Sequence, residues 1–98
     1  MMEPDNDNAL PLEIRRKKLK FRAWHRGMKE MDIILGNFAD RNLDSFEPAQ
    51  LDDFEALLHV PDQAFYSMLV HGAEVPEQIE GPMFRRIFEF AKSPLSQS

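Results

Sequence analysis

A glycine between opposite charges lies near the start of the chain, in the stretch Arg22-Ala23-Trp24-His25-Arg26-Gly27-Met28-Lys29-Glu30-Met31-Asp32. An arginine and a carboxylate make charge-assisted hydrogen bonds, and a glycine lets another backbone approach closely because it has no side chain. The pattern predicts either a protein-binding corner at Arg26, Gly27 and Glu30, or an internal Arg–Glu pair beside an ordinary helix C-cap. The residues alone favour neither reading over the other.

The other polar residues indicate neither metal binding nor direct catalysis. Cysteine is absent, which excludes thiolate nucleophiles, disulfides and cysteine-type metal sites. The histidines at positions 25, 59 and 71 lack the spacing that would place two ligands on one helical face. Neighbouring acids such as Asp52 and Asp53 point in different directions on a helix. We therefore predict no catalytic residue and no metal ligand; an enzymatic alternative would resemble a chorismate mutase-like bundle with inward Arg and Glu.

Charge is distributed unevenly along the chain. Residues 1–29 carry eight bases and four acids, whereas residues 30–98 carry four bases and thirteen acids, giving net charges of +4 and −9. The basic run 15–22 predicts a solvated face, a surface for an acidic protein, or a surface that displaces counterions from nucleic acid. The acidic remainder would repel a polyanion, so a nucleic-acid-binding or regulatory module using helix 15–22 is the alternative function and not the first. A toxin–antitoxin-like regulatory module is a third possibility, since small helical proteins with one basic and one acidic part also occur there.

Apolar residues recur three and four positions apart through most of the chain, which predicts α-helices rather than strands. Prolines and glycines divide this pattern into five helices, predicted at residues 12–25, 28–40, 48–60, 62–71 and 82–92. With 98 residues, 43% of them hydrophobic, the chain can form one packed domain. The predicted fold class is all-α, a compact single-domain bundle of about five short helices.

Several local predictions concern how these helices end and meet. Gly27 is expected to end the first helix in the left-handed conformation, and Gly36 to let another helix approach closely. Asp62, after Pro61, is expected to cap the fourth helix. The expected buried residues are Leu12, Leu19, Ala23, Met28, Met31, Ile34, Leu35, Phe38, Leu51, Phe54, Leu57, Leu58, Phe65, Met68, Leu69, Met83, Phe84, Ile87, Phe88 and Ala91.

The two ends are expected to lie outside the folded domain. Residues 1–11 are acidic and interrupted by two prolines, which predicts a flexible tail; residues 12–92 form the predicted domain, and residues 93–98 are expected to fray. The first eight residues carry three acids and no base, unlike an export signal or a presequence. No apolar run approaches the roughly 20 residues needed to cross a bilayer. We expect a cytoplasmic protein that is monomeric when free.

The order Arg26-Gly27-x-x-Glu30-x-Asp32 resembles the RGxxE signature of the bacterial FAD assembly factor (SdhE-type) family, whose mitochondrial relatives assist succinate dehydrogenase assembly. The resemblance runs from about Ile14 to Ala91. It also includes the basic first helix, Phe54-x-x-Leu57-Leu58, Pro61-Asp62, His71-Gly72 and Pro76. The chain differs from many relatives in having His25 in place of an arginine and Met68 in place of a tryptophan.

The resemblance implies a five-helix domain that holds no cofactor tightly. Its implied partner is the flavoprotein subunit of succinate dehydrogenase, and in some bacteria that of fumarate reductase. The implied role is to promote covalent attachment of FAD to a histidine of that subunit. Carried over by position, Arg26, Gly27 and Glu30 are the implied contact residues, with Asp32 and Arg22 as weaker candidates.

Overall fold

The computed structural model describes residues 10–97, and these contain α-helices but no strand. Two short 3-10 turns follow the second and fifth helices, at Leu43–Ser45 and Pro94–Gln97. The five helices are α1 (Leu12–Trp24), α2 (Lys29–Asn42), α3 (Pro48–Leu57), α4 (Asp62–Val70) and α5 (Pro82–Ala91). The all-α prediction is confirmed.

Proline and glycine set the helix boundaries. Pro48 and Pro82 each occupy the first turn of a helix, where the missing N–H has no intrahelical partner to lose. Before α3, the backbone N–H of Glu47 donates to Oε1 of Gln50 at 2.8 Å. Beyond α4, Gly72 adopts the left-handed conformation at φ 72°. Gly27 does not have a positive φ, so its predicted left-handed cap is wrong: α1 ends at Trp24, and an extended stretch leads into α2.

The core is built around α2, which contacts α1, α4 and α5. Phe38 of α2 is 2% exposed, and its ring centroid lies 6.2, 5.8 and 5.5 Å from those of Phe46, Phe54 and Phe90. The apolar residues predicted to be buried on α2 through α5 are buried, except Met28, Phe88 and Ala91, which are partly buried. The helical periodicity thus identified the inner faces of four helices.

The crossing of α1 and α2 depends on the absence of a side chain at Gly36. A Cβ atom built at Gly36 would lie 2.2 Å from Cδ2 of Trp24, a distance that no packed structure accommodates. The Trp24 indole therefore lies directly against the α2 backbone, and its Nε1 donates to Oδ2 of Asp40 at 3.2 Å. The predicted close approach at Gly36 is confirmed.

The packing of α1 differs from the prediction. Leu19 and Ala23 are fully buried, but Leu12 is 38% exposed. Its place on the inner face is taken by Arg15, which is 3% exposed. An arginine can occupy this position because carboxylates on α3 surround its guanidinium group, as described below.

The C-terminal residues pack on α2. Ser96 is fully buried, its backbone carbonyl accepts a hydrogen bond from Nδ2 of Asn37 at 3.2 Å, and its hydroxyl donates to the carbonyl of Ser93 at 2.9 Å. This position differs from the fraying expected for residues 93–98. The tail predicted at 1–11 lies mostly outside the described residues. None of the helices within residues 10–97 has the length and apolar character of a bilayer span.

Candidate functional site

We use "the corner" for residues 22–32, which join the end of α1 to the first turn of α2. At its centre the Arg26 side chain points inward and is only 11% exposed. Its Nε donates to Oδ1 of Asp62 at 2.6 Å, and its terminal nitrogens donate to the carbonyls of Leu58 and Val60. Arg26 therefore ties the corner to the connection between α3 and α4.

Asp62 completes this attachment with its second oxygen. Oδ2 accepts a hydrogen bond from the backbone N–H of Gly27 at 2.7 Å. The two oxygens of one carboxylate thus bind two consecutive residues of the corner, Arg26 and Gly27.

The prediction that Asp62 caps α4 is wrong, since the helix has no side-chain cap and Pro61 occupies the N-cap position. Asp62 was not among the predicted site residues. In the sequence it was indicated only by the Pro61-Asp62 pair, which is part of the family resemblance.

Asp32 closes the corner from the α2 side. Its Oδ1 accepts a short hydrogen bond from the backbone N–H of Arg26. Asp32 lies in the first turn of α2, where a carboxylate is also favoured by the helix dipole. Arg26 and Asp32 are therefore internal supports of the corner.

Glu30 takes no part in these supporting contacts. Its side chain is exposed, and within the described residues 10–97 it forms no hydrogen bond or ion pair. An internal Arg26–Glu30 pair, one of the two readings of the sequence, does not form because Arg26 is paired with Asp62. Glu30 is an exposed negative charge in the first turn of α2, three positions after Gly27 in the sequence.

Gly27 is exposed, and nothing inside the protein requires a glycine there. A Cβ atom at this position would lie 3.4 Å from Oδ2 of Asp62, an ordinary van der Waals distance, and φ is not positive. Packing and backbone conformation would both accept a side chain. The open space lies on the outer surface of the corner.

Arg22 belongs to an ion-paired seam between α1 and α3. Its Nη1 lies 3.3 Å from Oε2 of Glu55, whose other oxygen lies 2.9 Å from Nη2 of Arg15. Nη2 of Arg15 also lies 2.6 Å from Oδ1 of Asp52. Burial works to lower the pKa of Arg15, but hydrogen bonds and charge attraction from Asp52 and Glu55 outweigh it and raise that pKa. The guanidinium group stays charged.

Other members of the basic run also make internal contacts. Arg16 donates to the carbonyl of Phe46 at 2.8 Å, and Nζ of Lys20 lies 3.1 Å from Oδ1 of Asp44. Three cations of the run 15–22, Arg15, Lys20 and Arg22, therefore have carboxylate partners that follow α2 in the chain. A uniformly cationic face, which the nucleic-acid alternative requires, is not formed.

An open groove of about 440 Å³ runs beside the corner, between α1 and the α3–α4 connection. Phe21 and His25 stack on its α1 side, with ring centroids 3.9 Å apart and an interplanar angle of 22°. His59 and Pro61 are exposed on the other side, and Arg26 and Asp62 lie between them. Within residues 10–97 no group of three His, Asp or Glu side chains is placed to bind a metal ion.

A small helical domain whose corner is fixed by internal hydrogen bonds and exposes a glycine has the features of a protein-docking module. The comparisons identify its family. Residues 17–91 match the family model described as flavinator of succinate dehydrogenase, and the chain belongs to that family. The match extends from α1 to the end of α5 and includes the corner, Asp62 and the groove.

Two similar proteins support this membership. The chain is 41% identical over 78 residues to the FAD assembly factor SdhE of Acetobacter pasteurianus, covering 80% of this chain and 72% of that protein. It is 34% identical over 88 residues to the mitochondrial succinate dehydrogenase assembly factor 2 of Dictyostelium discoideum, covering 90% of this chain and 62% of that protein. The chain thus spans less than two thirds of the second relative.

Proposed function

We propose that this protein binds the flavoprotein subunit of succinate dehydrogenase and promotes covalent attachment of FAD to it. Membership of the flavinator family supports this role, as does the 41% identity to a bacterial FAD assembly factor. The match to a bacterial protein also supports a place of action in the bacterial cytoplasm. We propose that the free protein is a monomer. The flavoprotein of fumarate reductase is proposed as a second client.

The observation that carries the proposal is the exposed backbone at Gly27. Asp62 accepts a hydrogen bond from the Gly27 N–H at 2.7 Å, and Gly27 is exposed within the described residues 10–97. A partner backbone can approach such a surface closely, while Glu30 offers a charge for a hydrogen bond or ion pair across the interface. Arg26 and Asp32 contribute by keeping the surface in one shape, and Arg22 by joining α1 to α3.

The proposed mode of action is orientation rather than catalysis. Bond formation between flavin and histidine belongs to the flavin and the protein that holds it. A docked helper can hold the flavoprotein so that the histidine and the flavin meet in a reactive geometry, which lowers the entropic part of the barrier. Among residues 10–97 the corner groove is open to solvent, a shape suited to a protein surface rather than to enclosing a cofactor. FAD is therefore proposed to be bound by the partner.

The test measures covalent flavin on the succinate dehydrogenase flavoprotein as in-gel fluorescence under denaturing conditions. Cells lacking this protein are complemented with the wild type, with Gly27→Arg or with Gly81→Arg. Gly81 is a control because a Cβ built there has no neighbour within 4 Å, and at Gly27 the nearest atom is at 3.4 Å, so internal packing blocks neither position. We expect the wild type and Gly81→Arg to restore the signal and Gly27→Arg to leave it low, because the arginine blocks close approach.

Two outcomes would contradict the proposal. A flavin signal that is the same with and without this protein would exclude the proposed role. If Gly27→Arg fully restored the flavin signal, the proposed role would still hold, but the docking surface could not lie at the corner. Repeating the assay on the fumarate reductase flavoprotein tests the second client separately.

A further inference from the structure

The outer face of α1 carries a stripe of exposed side chains that leads to the corner. We define the α1 stripe as Ile14, Lys17, Lys18 and Phe21, which lie at helical spacing on one side of α1, together with His25, which directly follows the helix. Ile14 is 47% exposed and Phe21 is 63% exposed, the largest exposed fraction of the bulky apolar residues within 10–97. An aromatic side chain exposed to this degree is a common feature of binding surfaces.

The aromatic end of the stripe is held in place before any partner binds. The Phe21 and His25 rings stack at 3.9 Å, and Nδ1 of His25 lies 2.7 Å from the backbone carbonyl of Phe21. Because a carbonyl can only accept, Nδ1 carries the hydrogen in this contact. The stacked pair therefore loses little conformational freedom on binding, which favours it as an anchor.

The stripe is continuous with the corner. His25 immediately precedes Arg26 and Gly27, and Phe21, His25 and Gly27 line the same groove. From Ile14 to His25 the stripe extends about 16 Å, at about 1.5 Å per helical residue. A stable interface covers roughly 800 Å² on each partner, which is more than the few exposed residues of the corner provide.

The charge of the stripe limits what can bind there. It contains Lys17 and Lys18 and no acid, whereas the rest of the chain is acidic. Lys18 already has an interaction of its own, so the charge offered to a partner is that of Lys17. An acidic partner surface would be attracted to the stripe, and its apolar side chains could cover Ile14 and Phe21. Nucleic acid fits less well, because it would leave Ile14 without an apolar partner and would be repelled by the acidic remainder.

We infer that the docking surface extends from the corner along the α1 stripe, and that an acidic segment with apolar side chains on the flavoprotein subunit occupies it. This inference rests on the proposed function. Phe21 is the apolar anchor of the contact, and Lys17 provides a positive charge at its edge. The corner then fixes position through close backbone contact, while the stripe supplies area and electrostatic attraction.

The test measures the affinity of the full-length protein for purified flavoprotein subunit lacking covalent flavin. Phe21→Ala is compared with Leu95→Ala, a control whose side chain is 45% exposed on the C-terminal turn. We expect Phe21→Ala to raise Kd about tenfold or more, as loss of an aromatic anchor does, and Leu95→Ala to change Kd less than about twofold. Circular dichroism checks that both variants fold.

The electrostatic part is tested with Lys17→Glu against Arg41→Glu, another exposed cation, at the end of α2. Lys17→Glu is expected to slow association and to reduce its dependence on salt, whereas Arg41→Glu changes neither.

Three outcomes would contradict the inference. If Phe21→Ala and Lys17→Glu bind with wild-type affinity while Gly27→Arg does not bind, the α1 stripe is not part of the docking surface, and the proposed function is unaffected. Failure of the wild type to bind would overturn both. Self-association through Phe21 in place of flavoprotein binding would assign the stripe to a second copy and also overturn the inference.

Discussion

Gly36 and Gly27 lack side chains for different physical reasons. At Gly36 the reason is internal, because the Trp24 indole occupies the space where a Cβ would lie, at 2.2 Å. At Gly27 the nearest atom to a built Cβ is 3.4 Å away and the backbone conformation suits any residue. The first glycine is explained by the fold, whereas the second is not. A glycine that the fold does not require is a reason to look outside the molecule.

The largest expected effect is on the support beneath Gly27. Arg26→Ala should lower the free energy of unfolding by about 3–5 kcal/mol, because it removes the cation paired with the half-buried Asp62 carboxylate and the donor to two backbone carbonyls. Urea unfolding followed by circular dichroism measures this loss. The control Arg85→Ala, which removes an exposed ion pair with Glu80, should cost less than about 1 kcal/mol. Equal losses for the two variants would show that Arg26 does not support the corner.

The second effect tests the internal reason at Gly36. Gly36→Ala should lower the free energy of unfolding by about 1–3 kcal/mol, since the added methyl group overlaps the Trp24 ring and the helices must separate. The double variant with Trp24→Leu should lose less than the sum of the two single losses, because the smaller side chain leaves room for the methyl group. Strictly additive losses would mean that Trp24 is not the atomic neighbour that requires glycine.

The third effect tests the contrast directly. Gly27→Ala should leave the free energy of unfolding unchanged or raise it by up to about 1 kcal/mol, because alanine restricts the unfolded chain and fits the native conformation. Denaturant unfolding measures this free energy for Gly27→Ala and Gly36→Ala under the same conditions. A loss at Gly27 as large as that at Gly36 would give both glycines an internal explanation.

The smallest expected effect on stability is at Glu30. Glu30→Gln should change the free energy of unfolding by about 0.5 kcal/mol, which reflects only its position in the first turn of α2. Covalent flavin on the partner should nevertheless fall, because the charge offered to the interface is lost. Glu77→Gln, an exposed acid between α4 and α5, is the matched control and should change neither quantity. Unfolding of Glu30→Gln would point to an internal contact.

Short-range patterns predicted the fold well and the corner only in part. The spacing of Met31, Ile34, Leu35 and Phe38 identified the inner face of α2, and Pro82 located the start of α5, because both depend on neighbours within a few residues. The corner residues were found as a group, through the glycine and its charges. Their individual roles depend on partners far along the chain, which a local pattern does not contain.

Arg15 and Asp62 illustrate this difference. Arg15 reads as one more member of a solvated basic run, yet its partners Asp52 and Glu55 follow 37 and 40 positions later. Asp62 has the position of a helix cap, yet its carboxylate binds Arg26, 36 positions earlier. In both cases a long-range ion pair outweighs the local preference, which is solvent exposure for Arg15 and helix capping for Asp62.

The dependence of the corner on Asp62 also determines when it can exist during synthesis. Gly27 is synthesised 35 residues before Asp62, and until Asp62 appears the Gly27 N–H has no acceptor and the Arg26 guanidinium has no carboxylate. Nascent chains stalled before this point would contain the complete RGxxE sequence without the surface it forms. A peptide of α1 and α2 would likewise lack the surface, so an inhibitor designed to imitate the corner must also reproduce the first residue of α4.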